Sequence, residues 1–375
     1  MSRAPRSRRP GLSSWGPALR SRRPAPSSGG PDFRSRRPGL SSGRPALRSR
    51  RPGLCRAVAA ALLAGLLAGG CGLVSGSAMS DAVLPGPKAG YPDRPLTGAQ
   101  LTVTSKEFTE QIVLGQIMGL VFQAAGAHVI DRTSIQGSIG AREAVKSGTA
   151  DAAYEYTGTG WITYLGHTKP VIDPQEQWRV VRDEDRKNGL VWLPPSKLNN
   201  TYALALNPAN QKKLGVHTLS DVAALSHKNP GAVTLCVENE FATRNDGLPG
   251  MARAYGMQVP SGNVRKMTGG VVYTETKKGT CALGEVFTTD GRIKAMNLQV
   301  LADDKHFFPN YNAAPEINAA SLKKYPAMAE VLAPVTRALN NTVAQELNRK
   351  VDVDGEDPHQ VAKDWLLKEG FIKEG

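Results

Sequence analysis

Three aromatic side chains lie close together in the stretch ADAAYEYTGTGW, residues 150–161. Tyr154, Tyr156 and Trp161 stand beside a Thr/Gly turn at the predicted end of a strand. The faces of aromatic rings attract cations, including quaternary ammonium groups that carry no hydrogen-bond donors. Because only 6% of the chain is Phe, Trp or Tyr, the clustering suggests a ligand site, but packing in a hydrophobic core accounts for the same residues and is the alternative.

The sequence gives little support to an enzyme. It contains no HExxH motif, no Walker loop and no CxxC pair, and Gly158 and Gly160 form only a GxG fragment. Glu155 and Asp290 could form an acid–base pair, but we expect them to orient loops. We predict no catalytic residue, no metal and no cofactor, because the histidines are scattered without metal-ligand spacing. They are His128, His167, His217, His227, His306 and His359.

The amino-terminal 56 residues carry the positive charge of the chain. The motif RSRRP recurs every 14 residues, and residues 1–56 hold 15 Arg and one acid, a net of +14, which equals the net charge of the whole chain. The remainder is therefore close to neutral, and the basic pI does not indicate a nucleic-acid partner. With few apolar residues to bury, residues 1–56 are expected to be a disordered leader. An arginine-rich arm for an anionic surface is the alternative.

A short apolar run follows the leader and ends at a cysteine. Residues 57–71 are too short to span a membrane and have the basic, apolar and small-residue order of a secretory signal. Their end, LAGGC, resembles a bacterial lipoprotein signal, although Ala68 stands where that pattern usually has Leu. We therefore expect Cys71 to be lipidated and to anchor the protein at the extracytoplasmic face of the cell membrane. Cleavage by an ordinary signal peptidase remains the alternative.

Residues 72–98 are rich in Gly, Pro, Ser and Ala, which predicts a flexible tether. The body from Ala99 onward then alternates strands and helices. This alternation predicts a parallel sheet whose ligands lie beyond the carboxyl ends of its strands. The predicted elements are strands at 101–104, 129–132 and 151–156, a helix at 110–125 that Thr109 can cap, and a short helix that Ser138 can cap.

Six motifs along this body resemble one family. They occur in the order found in the substrate-binding proteins of osmoprotectant ABC importers, which bind glycine betaine, choline, carnitine or proline betaine. The resemblance covers essentially all of Leu101 to Ile372. The motifs are SKEFTEQ from Ser105, EYTGTGW from Glu155, NNTYALAL from Asn199, FATRNDGLPGMARAYG from Phe241, TTDGRI from Thr288 and DDKHFFPNYNAAP from Asp303.

The resemblance implies an α/β, two-lobed periplasmic-binding-protein fold of type II, with the ligand in a cleft between the lobes. Residues 99–200 and 310–375 are expected to form lobe 1, and residues 201–309 lobe 2. We predict that the chain crosses back near 307–311. The remaining expected elements are strands at 201–206, 233–237 and 281–287, and helices at 218–224, at 329–339, at 342–351 and from Pro358.

By the same resemblance, Tyr156, Tyr202 and Tyr311 are expected to surround the trimethylammonium group of an osmolyte. Two positions depart from the family pattern. Phe287 stands where a tyrosine is often found, and Asn200 where relatives can carry an acid. We include both in the site, with the expectation that they alter its preference for a cation.

The other end of a betaine is a carboxylate, for which Arg244 and Lys106 are the expected partners. Burying these two cations without an anion would be costly, which favours glycine betaine-like zwitterions over choline. The alternatives are the same fold binding choline, an amino acid or a polyamine. We expect a monomeric receptor that hands its ligand to an ABC transporter permease.

Two cysteines remain after the signal region, Cys236 and Cys281. Both lie on predicted strands of the second lobe, and an exported protein meets an oxidising compartment. A disulfide is expected, with two buried free thiols as the alternative.

Overall fold

The computed structural model describes residues 76–91 and 93–375. The expected leader, the signal segment and its Cys71 lie outside the described residues. Within the described part, no helix is both long enough and apolar enough to cross a membrane.

A six-stranded sheet forms the centre of the first lobe. The strands Gln100–Lys106 and His128–Ile135 are parallel, as the alternating pattern predicts. The strand Ala313–Asn318 is antiparallel to both of its neighbours, so the expectation of a wholly parallel sheet is wrong. The strand Ala313–Asn318 begins at the edge of the sheet that faces the second lobe, because the chain returns from that lobe. Its neighbour Ala152–Tyr156 ends at the same edge, so the two strands run in opposite directions. In spatial order the strands are Ser77–Ala78, His128–Ile135, Gln100–Lys106, Ala152–Tyr156, Ala313–Asn318 and Leu190–Trp192.

A five-stranded sheet forms the second lobe. Its strand Tyr202–Leu206 starts at the crossover from the first lobe and is therefore antiparallel to Leu283–Phe287, in a register that places Phe287 opposite Tyr202. In spatial order the strands are Gln299–Val300, Tyr202–Leu206, Leu283–Phe287, Leu235–Glu238 and Val264–Met267. The two sheets thus use separate stretches of the chain.

Helices cover both sheets. Thr109–Ala124 is buried on nearly all sides, between the first sheet and the carboxyl-terminal helices. Pro358 begins the last long helix, as predicted, and Thr218 forms a capping box with Asp221. Thr109 and Ser138, which were expected to cap helices, lie inside them instead. The helices in the described residues are Thr109–Ala124, Gly137–Lys146, Thr157–Thr159, Gly160–Tyr164 (π), Pro174–Asp185, Arg186–Asn188 (3₁₀), Pro208–Leu214, Leu219–Lys228, Pro230–Ala232 (3₁₀), Leu248–Tyr255, Ser261–Asn263 (3₁₀), Gly269–Lys278, Arg292–Ala295, Ala319–Lys324, Ala327–Ala338, Asn341–Asp352 and Pro358–Glu369.

The expected tether differs from the structure over residues 76–98. Ser77–Ala78 joins the first sheet, and Val83–Pro85 pairs with the carboxyl-terminal strand Ile372–Glu374. The side chains of Tyr91 and Leu96 are buried in the main hydrophobic core. Burying apolar side chains stabilises a segment by about 1.5–3 kcal/mol each, and these few residues fix a stretch whose Gly and Pro content suggested flexibility.

The two lobes are joined by two adjacent crossovers. Asn199 forms a β-bridge with Asn312. The backbone N–H of Asn200 donates to the carbonyl of Tyr311 at 3.1 Å, and the N–H of Tyr311 donates to Asn199 Oδ1 at 2.7 Å. These bonds hold Asn200 and Tyr311 side by side at the base of the cleft.

A disulfide joins Cys236 and Cys281 in the second lobe, as expected, with their Cα atoms 5.6 Å apart. Cys236 lies on the strand Leu235–Glu238, and Cys281 precedes the neighbouring strand Leu283–Phe287. Both cysteines are fully buried. The bond therefore ties together two strands that carry residues of the cleft.

Reduction of this disulfide is expected to lower the free energy of unfolding by about 2–4 kcal/mol, because it frees a loop of 45 residues in the unfolded chain. Denaturant unfolding with and without a reductant measures the change. The double variant Cys236→Ala/Cys281→Ala should be destabilised to a similar extent and should not respond to the reductant. Equal stability of the oxidised and reduced proteins would contradict a structural role for the bond.

Candidate ligand-binding site

All seven side chains predicted for the site line one cavity between the lobes. They are Lys106, Tyr156, Asn200, Tyr202, Arg244, Phe287 and Tyr311. Six of them stand at a strand end or at a crossover, and Arg244 lies in the turn between the strand Leu235–Glu238 and the helix Leu248–Tyr255. The cavity has a volume of about 20 Å³, close to the space that one water molecule needs. This space is too small to hold an organic ligand.

Tyr202 is at the centre of an aromatic cluster. Its ring lies 5.1 Å from Phe287, its cross-strand neighbour, and 5.3 Å edge-on from Tyr311. Phe241 and Phe308 approach Tyr202 from behind at 4.9 and 5.9 Å. We call Tyr202 and its two cavity-lining neighbours, Phe287 and Tyr311, the cage rings, and Phe241 and Phe308 support them. Tyr156, which was also expected in the cage, lines the same cavity from the first lobe.

The Thr/Gly turn after Tyr156 has a packing role. A Cβ atom at Gly158 would lie 2.7 Å from the Tyr311 ring, so only glycine lets this ring rest against the turn. Tyr156 reaches the cavity, but its neighbours in the sequence do not. The hydroxyl of Tyr154 bonds to Thr336 beneath a helix, and Trp161 stacks on His167. Of the three clustered rings only Tyr156 lines the cavity, and core packing, the alternative, holds for Tyr154.

Phe108 was not predicted and extends the aromatic surface. It stacks on Phe287 at 5.2 Å and on Tyr156 at 6.3 Å, joining rings of the two lobes. Phe108 stands in the SKEFTEQ motif, immediately before the helix Thr109–Ala124. Its position between a predicted strand end and a predicted helix start could have identified Phe108 as a candidate site residue.

Arg244 already has a carboxylate partner. Its Nε donates to Asp246 Oδ1 at 2.7 Å and its Nη2 to the other oxygen of the same group. Asp246 also accepts from the Tyr311 hydroxyl at 2.8 Å. Nη1 lies 3.9 Å from Glu240 Oε1, beyond hydrogen-bond distance. Asp246 thus holds the Nε and Nη2 edge of the Arg244 guanidinium, and the Nη1 edge faces the cavity.

Lys106 is paired in the same way. Its Nζ donates to Glu155 Oε1 at 2.6 Å and lies 5.0 Å from the centre of the Tyr156 ring. Glu155 also accepts from the Tyr164 hydroxyl and from the backbone N–H of Tyr156. The expected preference for a zwitterion rested on two cations without anions, and the structure removes that argument because each cation has a buried carboxylate.

A buried carboxyl group, Glu110, connects the cavity to both lobes. It accepts hydrogen bonds from the hydroxyls of Tyr156 and Thr289 and from the Nδ2 groups of Asn200 and Asn348. Burial raises the pKa of Glu110, and these four donors oppose the rise. Burial also raises the pKa of the Tyr156 phenol, with the Glu110 carboxyl adding to the rise. One side chain thereby positions a ring of the cavity, a crossover and the second lobe.

Acidic groups dominate the second-lobe side of the cleft. Glu238 and Glu240 line the cavity. Burial, with contributions from Glu107 and Glu240, raises the pKa of Glu238 to about 7. Its neighbour Glu285 accepts from the backbone N–H of Glu238, and burial raises its pKa well above the usual value. A positively charged ligand would stabilise the ionised form of these carboxyls.

The described residues contain no group of three or more His, Cys, Asp or Glu side chains placed to hold a metal ion. The two carboxylates considered as an acid–base pair have separate partners. Glu155 is bound to Lys106, and Asp290 is bound to Arg292. Both hold a cation in place.

Comparison with known proteins identifies a matching family. A family model described as the substrate-binding domain of ABC-type glycine betaine transport systems matches residues 99–368. The chain belongs to this family. The family model describes a substrate-binding domain of a transport system.

Individual relatives agree with this membership. A glycine-betaine-binding protein of Pseudomonas aeruginosa is 38% identical over 73% of this chain and 89% of its own. An ergothioneine transport permease/ergothioneine binding protein of Helicobacter pylori is 31% identical over 72% of this chain, which spans about half of that relative. A crystal structure described as a glycine betaine/carnitine/choline ABC transporter is 25% identical, with a TM-score of 0.59 over 72% of this chain and 99% of its own. The α/β, two-lobed type II fold is confirmed.

The raised pKa of Glu238 predicts a pH-dependent stability of this substrate-binding domain. As pH rises from about 4.5 to about 7, the unfolded chain releases this proton while the folded chain retains it, so folding becomes less favourable. Glu238→Gln removes the charge. The variant should gain about 1–3 kcal/mol over the wild type at pH 8 and nothing at pH 4.

Thermal or denaturant unfolding at the two pH values measures this difference. Glu346→Gln is the control, because Glu346 is exposed on the helix Asn341–Asp352 and should change little at either pH. A Glu238→Gln variant less stable than the wild type at pH 8 would show that the carboxylate is stabilised in the folded protein.

Proposed function

We propose that this protein is the extracytoplasmic solute receptor of an ABC importer and that it binds a quaternary-ammonium osmolyte, glycine betaine or a close relative. The observation that carries the proposal is the single cavity in which the cage rings from the second lobe and a crossover face Lys106 and Arg244. Membership of the family and the glycine-betaine-binding relative support the same function.

The cage rings suit the ammonium end of such a ligand. Methylated ammonium offers no N–H donor, so hydrogen-bond acceptors alone select it poorly, whereas ring faces attract its charge and exclude water. Tyr202 lies 5.1 Å from Phe287 and 5.3 Å from Tyr311, so the three rings form one cluster around the cavity. Phe287 lacks the hydroxyl of a tyrosine but keeps the ring face.

The carboxylate end of a betaine would meet Arg244 and Lys106. A guanidinium has five N–H donors and an ammonium has three, and the ion pairs with Asp246 and Glu155 use only part of them. Thr159, 3.4 Å from Arg244 Nη2, adds a hydroxyl to the same wall. The buried carboxylates hold both cations in position before a ligand arrives, which limits the ordering that binding requires.

Ligand entry requires the lobes to separate, because the present cavity has room for about one water molecule. The crossovers around Asn199 and Asn312 are the only covalent connections between the two sheets in the described residues. We infer that they act as the hinge. Binding would then favour the closed arrangement by placing a ligand against residues of both lobes.

Choline is the second candidate. Because Glu155 and Asp246 already neutralise the two cations, a ligand without a carboxylate leaves neither Lys106 nor Arg244 unpaired. Glu238 and Glu240 add further negative charge that would suit a cation. Calorimetric titration with glycine betaine, choline, carnitine and proline betaine ranks the candidates, and an amino acid and a polyamine in the same panel test the remaining alternatives.

The proposal also covers the oligomeric state of the receptor, its membrane anchor and its partner in the membrane. The receptor would act as a monomer, anchored through lipidated Cys71, and would deliver its ligand to a membrane permease. Replacing Cys71 by Ala should move the protein from the membrane fraction to the soluble exported fraction. Retention in the membrane would contradict the lipid anchor without affecting the ligand assignment.

A pair of substitutions at Tyr202 tests the cage. Tyr202→Leu removes a ring face and should weaken glycine betaine binding roughly 2- to 30-fold, the equivalent of about 0.5–2 kcal/mol. Tyr202→Phe keeps the ring and serves as the matched control, with affinity expected close to that of the wild type. Isothermal titration calorimetry measures both.

Two results would overturn the function. One is the absence of binding to every quaternary-ammonium compound of the panel by the folded wild-type protein. The other is equal affinity of the Leu and Phe variants, which would place the ligand away from this ring.

A further inference from the structure

Outside the cage cavity, the two lobes meet where the turn 288–292 lies against the helix Asn341–Asp352. The turn follows the second-lobe strand Leu283–Phe287, and the helix packs on Thr109–Ala124 in the first lobe. We call this contact the clasp. No residue of the turn or of the helix lines the cage cavity, so the clasp is separate from the side chains that face a ligand there.

Two hydrogen bonds in the clasp join side chains of the helix to the main chain of the turn. Gln345 Nε2 donates to the carbonyl of Thr288 at 3.1 Å. Asn348 Nδ2 donates to the carbonyl of Thr289 at 3.0 Å. Because both acceptors are main-chain atoms, these bonds fix the position of the turn itself against the helix.

The glycine of the TTDGRI motif makes the closest approach in the clasp. A Cβ atom at Gly291 would lie 2.6 Å from both the Cα and the Cβ atoms of Arg349 and 2.8 Å from its backbone nitrogen. Main-chain atoms in a packed contact cannot move aside as the end of a flexible side chain can. The φ of Gly291 is −65°, which any residue adopts. Glycine is therefore needed here for space, because a side chain would hold the turn away from the helix.

The clasp exists only while the lobes are together. Arg292 adds a charged contact, with its Nη2 atom 3.4 Å from Asp352 Oδ2. Separating the lobes must break this contact and the two hydrogen bonds, together with the bond from Thr289 to Glu110. Contacts that form only when the lobes approach stabilise that arrangement, and they strengthen the binding of every ligand held between the lobes by the same factor.

We propose that Gly291 and Gln345 are positioning residues of the receptor, which hold the lobes together around a ligand that neither residue touches. The affinity is then set in part by the clasp, whereas the choice between ligands depends on the cage rings, Lys106 and Arg244. The inference rests on the proposed function, because it takes binding between the lobes as given. It predicts losses of affinity that are equal for ligands of different chemistry.

Gly291→Ala tests the close approach. It should weaken the binding of two ligands that the wild type binds, such as glycine betaine and choline, by the same factor of roughly fivefold or more, because the lobes can no longer approach without displacing main chain. Calorimetric titration with both ligands measures the factor. Gly262→Ala is the matched control, because a Cβ there has no atom within 4 Å, and it should leave both affinities unchanged.

Gln345→Ala tests the clasp without adding bulk. The loss of one hydrogen bond should weaken both ligands by about 2- to 10-fold. Because Gln345 is exposed, this variant is expected to fold and keeps the test decisive if Gly291→Ala does not. Glu346→Ala is its control, since Glu346 is the exposed neighbour on the same helix, and both affinities should stay at the wild-type value.

A double variant distinguishes one shared clasp from two independent effects. Once Gly291→Ala holds the turn away from the helix, the Gln345 side chain has already lost its bond to Thr288. Adding Gln345→Ala should therefore weaken binding no further. Losses that multiply in the double variant would show that the two residues act independently, and the clasp would be wrong.

The outcomes separate the two proposals. If the wild type binds no quaternary-ammonium compound, the proposed function fails and takes the clasp with it. If the wild type binds glycine betaine and both single variants bind it equally tightly, the clasp alone is wrong. The clasp is also wrong if the two ligands lose affinity by different factors, since the substitutions would then act on the ligand site directly.

Discussion

The buried carboxyl group of Glu110 is the interaction on which the cleft depends. It lies on the central helix of the first lobe and binds a ring of the cavity, a crossover and the second lobe at once. A carboxyl in such a place is expensive to bury alone, and four donors offset the cost. Opening the cleft must break the bond to Thr289 while those to Tyr156 and Asn348 can remain within the first lobe. The closed arrangement is therefore held in part by one hydrogen bond across the lobes.

Paired charges give the cavity its electrostatic character. Lys106 and Arg244 are buried, but each lies against a carboxylate that is also buried. Isolated charges in such positions would be strongly unfavourable, whereas pairs that also bind hydroxyl groups are tolerated. A zwitterionic ligand preserves this neutrality, since its two ends bring equal and opposite charge. The acidic residues near the cage add a bias toward the ammonium end.

Much of the candidate site could be predicted from the sequence, because the motifs that carry it resemble those of a known family. Tyr156, Tyr202, Phe287, Tyr311 and Arg244 were predicted from this resemblance, and they share one cavity. The partners of the cations could not be predicted. Asp246 stands two residues from Arg244, but Glu155 is 49 residues from Lys106, and their pairing depends on how strands pack side by side.

Other differences between expectation and structure have equally local causes. Tyr154 shares a strand with Tyr156, yet it lies one pleat further from the strand end and is covered by the helix Ala327–Ala338. The alternation of strands and helices predicted parallel sheets. It could not predict the direction of a strand that follows a crossover between the lobes. Composition suggested a tether over residues 76–98, where Val83, Tyr91 and Leu96 were enough to fix the segment.

The central claim is that the cage rings hold a methylated ammonium while Arg244 and Lys106 face the opposite pole of the same molecule. A crystal structure of the protein grown with glycine betaine tests it most directly. The account predicts methyl carbons in contact with the ring faces of Tyr202, Phe287 and Tyr311, and carboxylate oxygens within hydrogen-bond distance of Arg244 Nη1 or Lys106 Nζ. A ligand bound outside this cavity, or bound with its carboxylate among the rings, would contradict it.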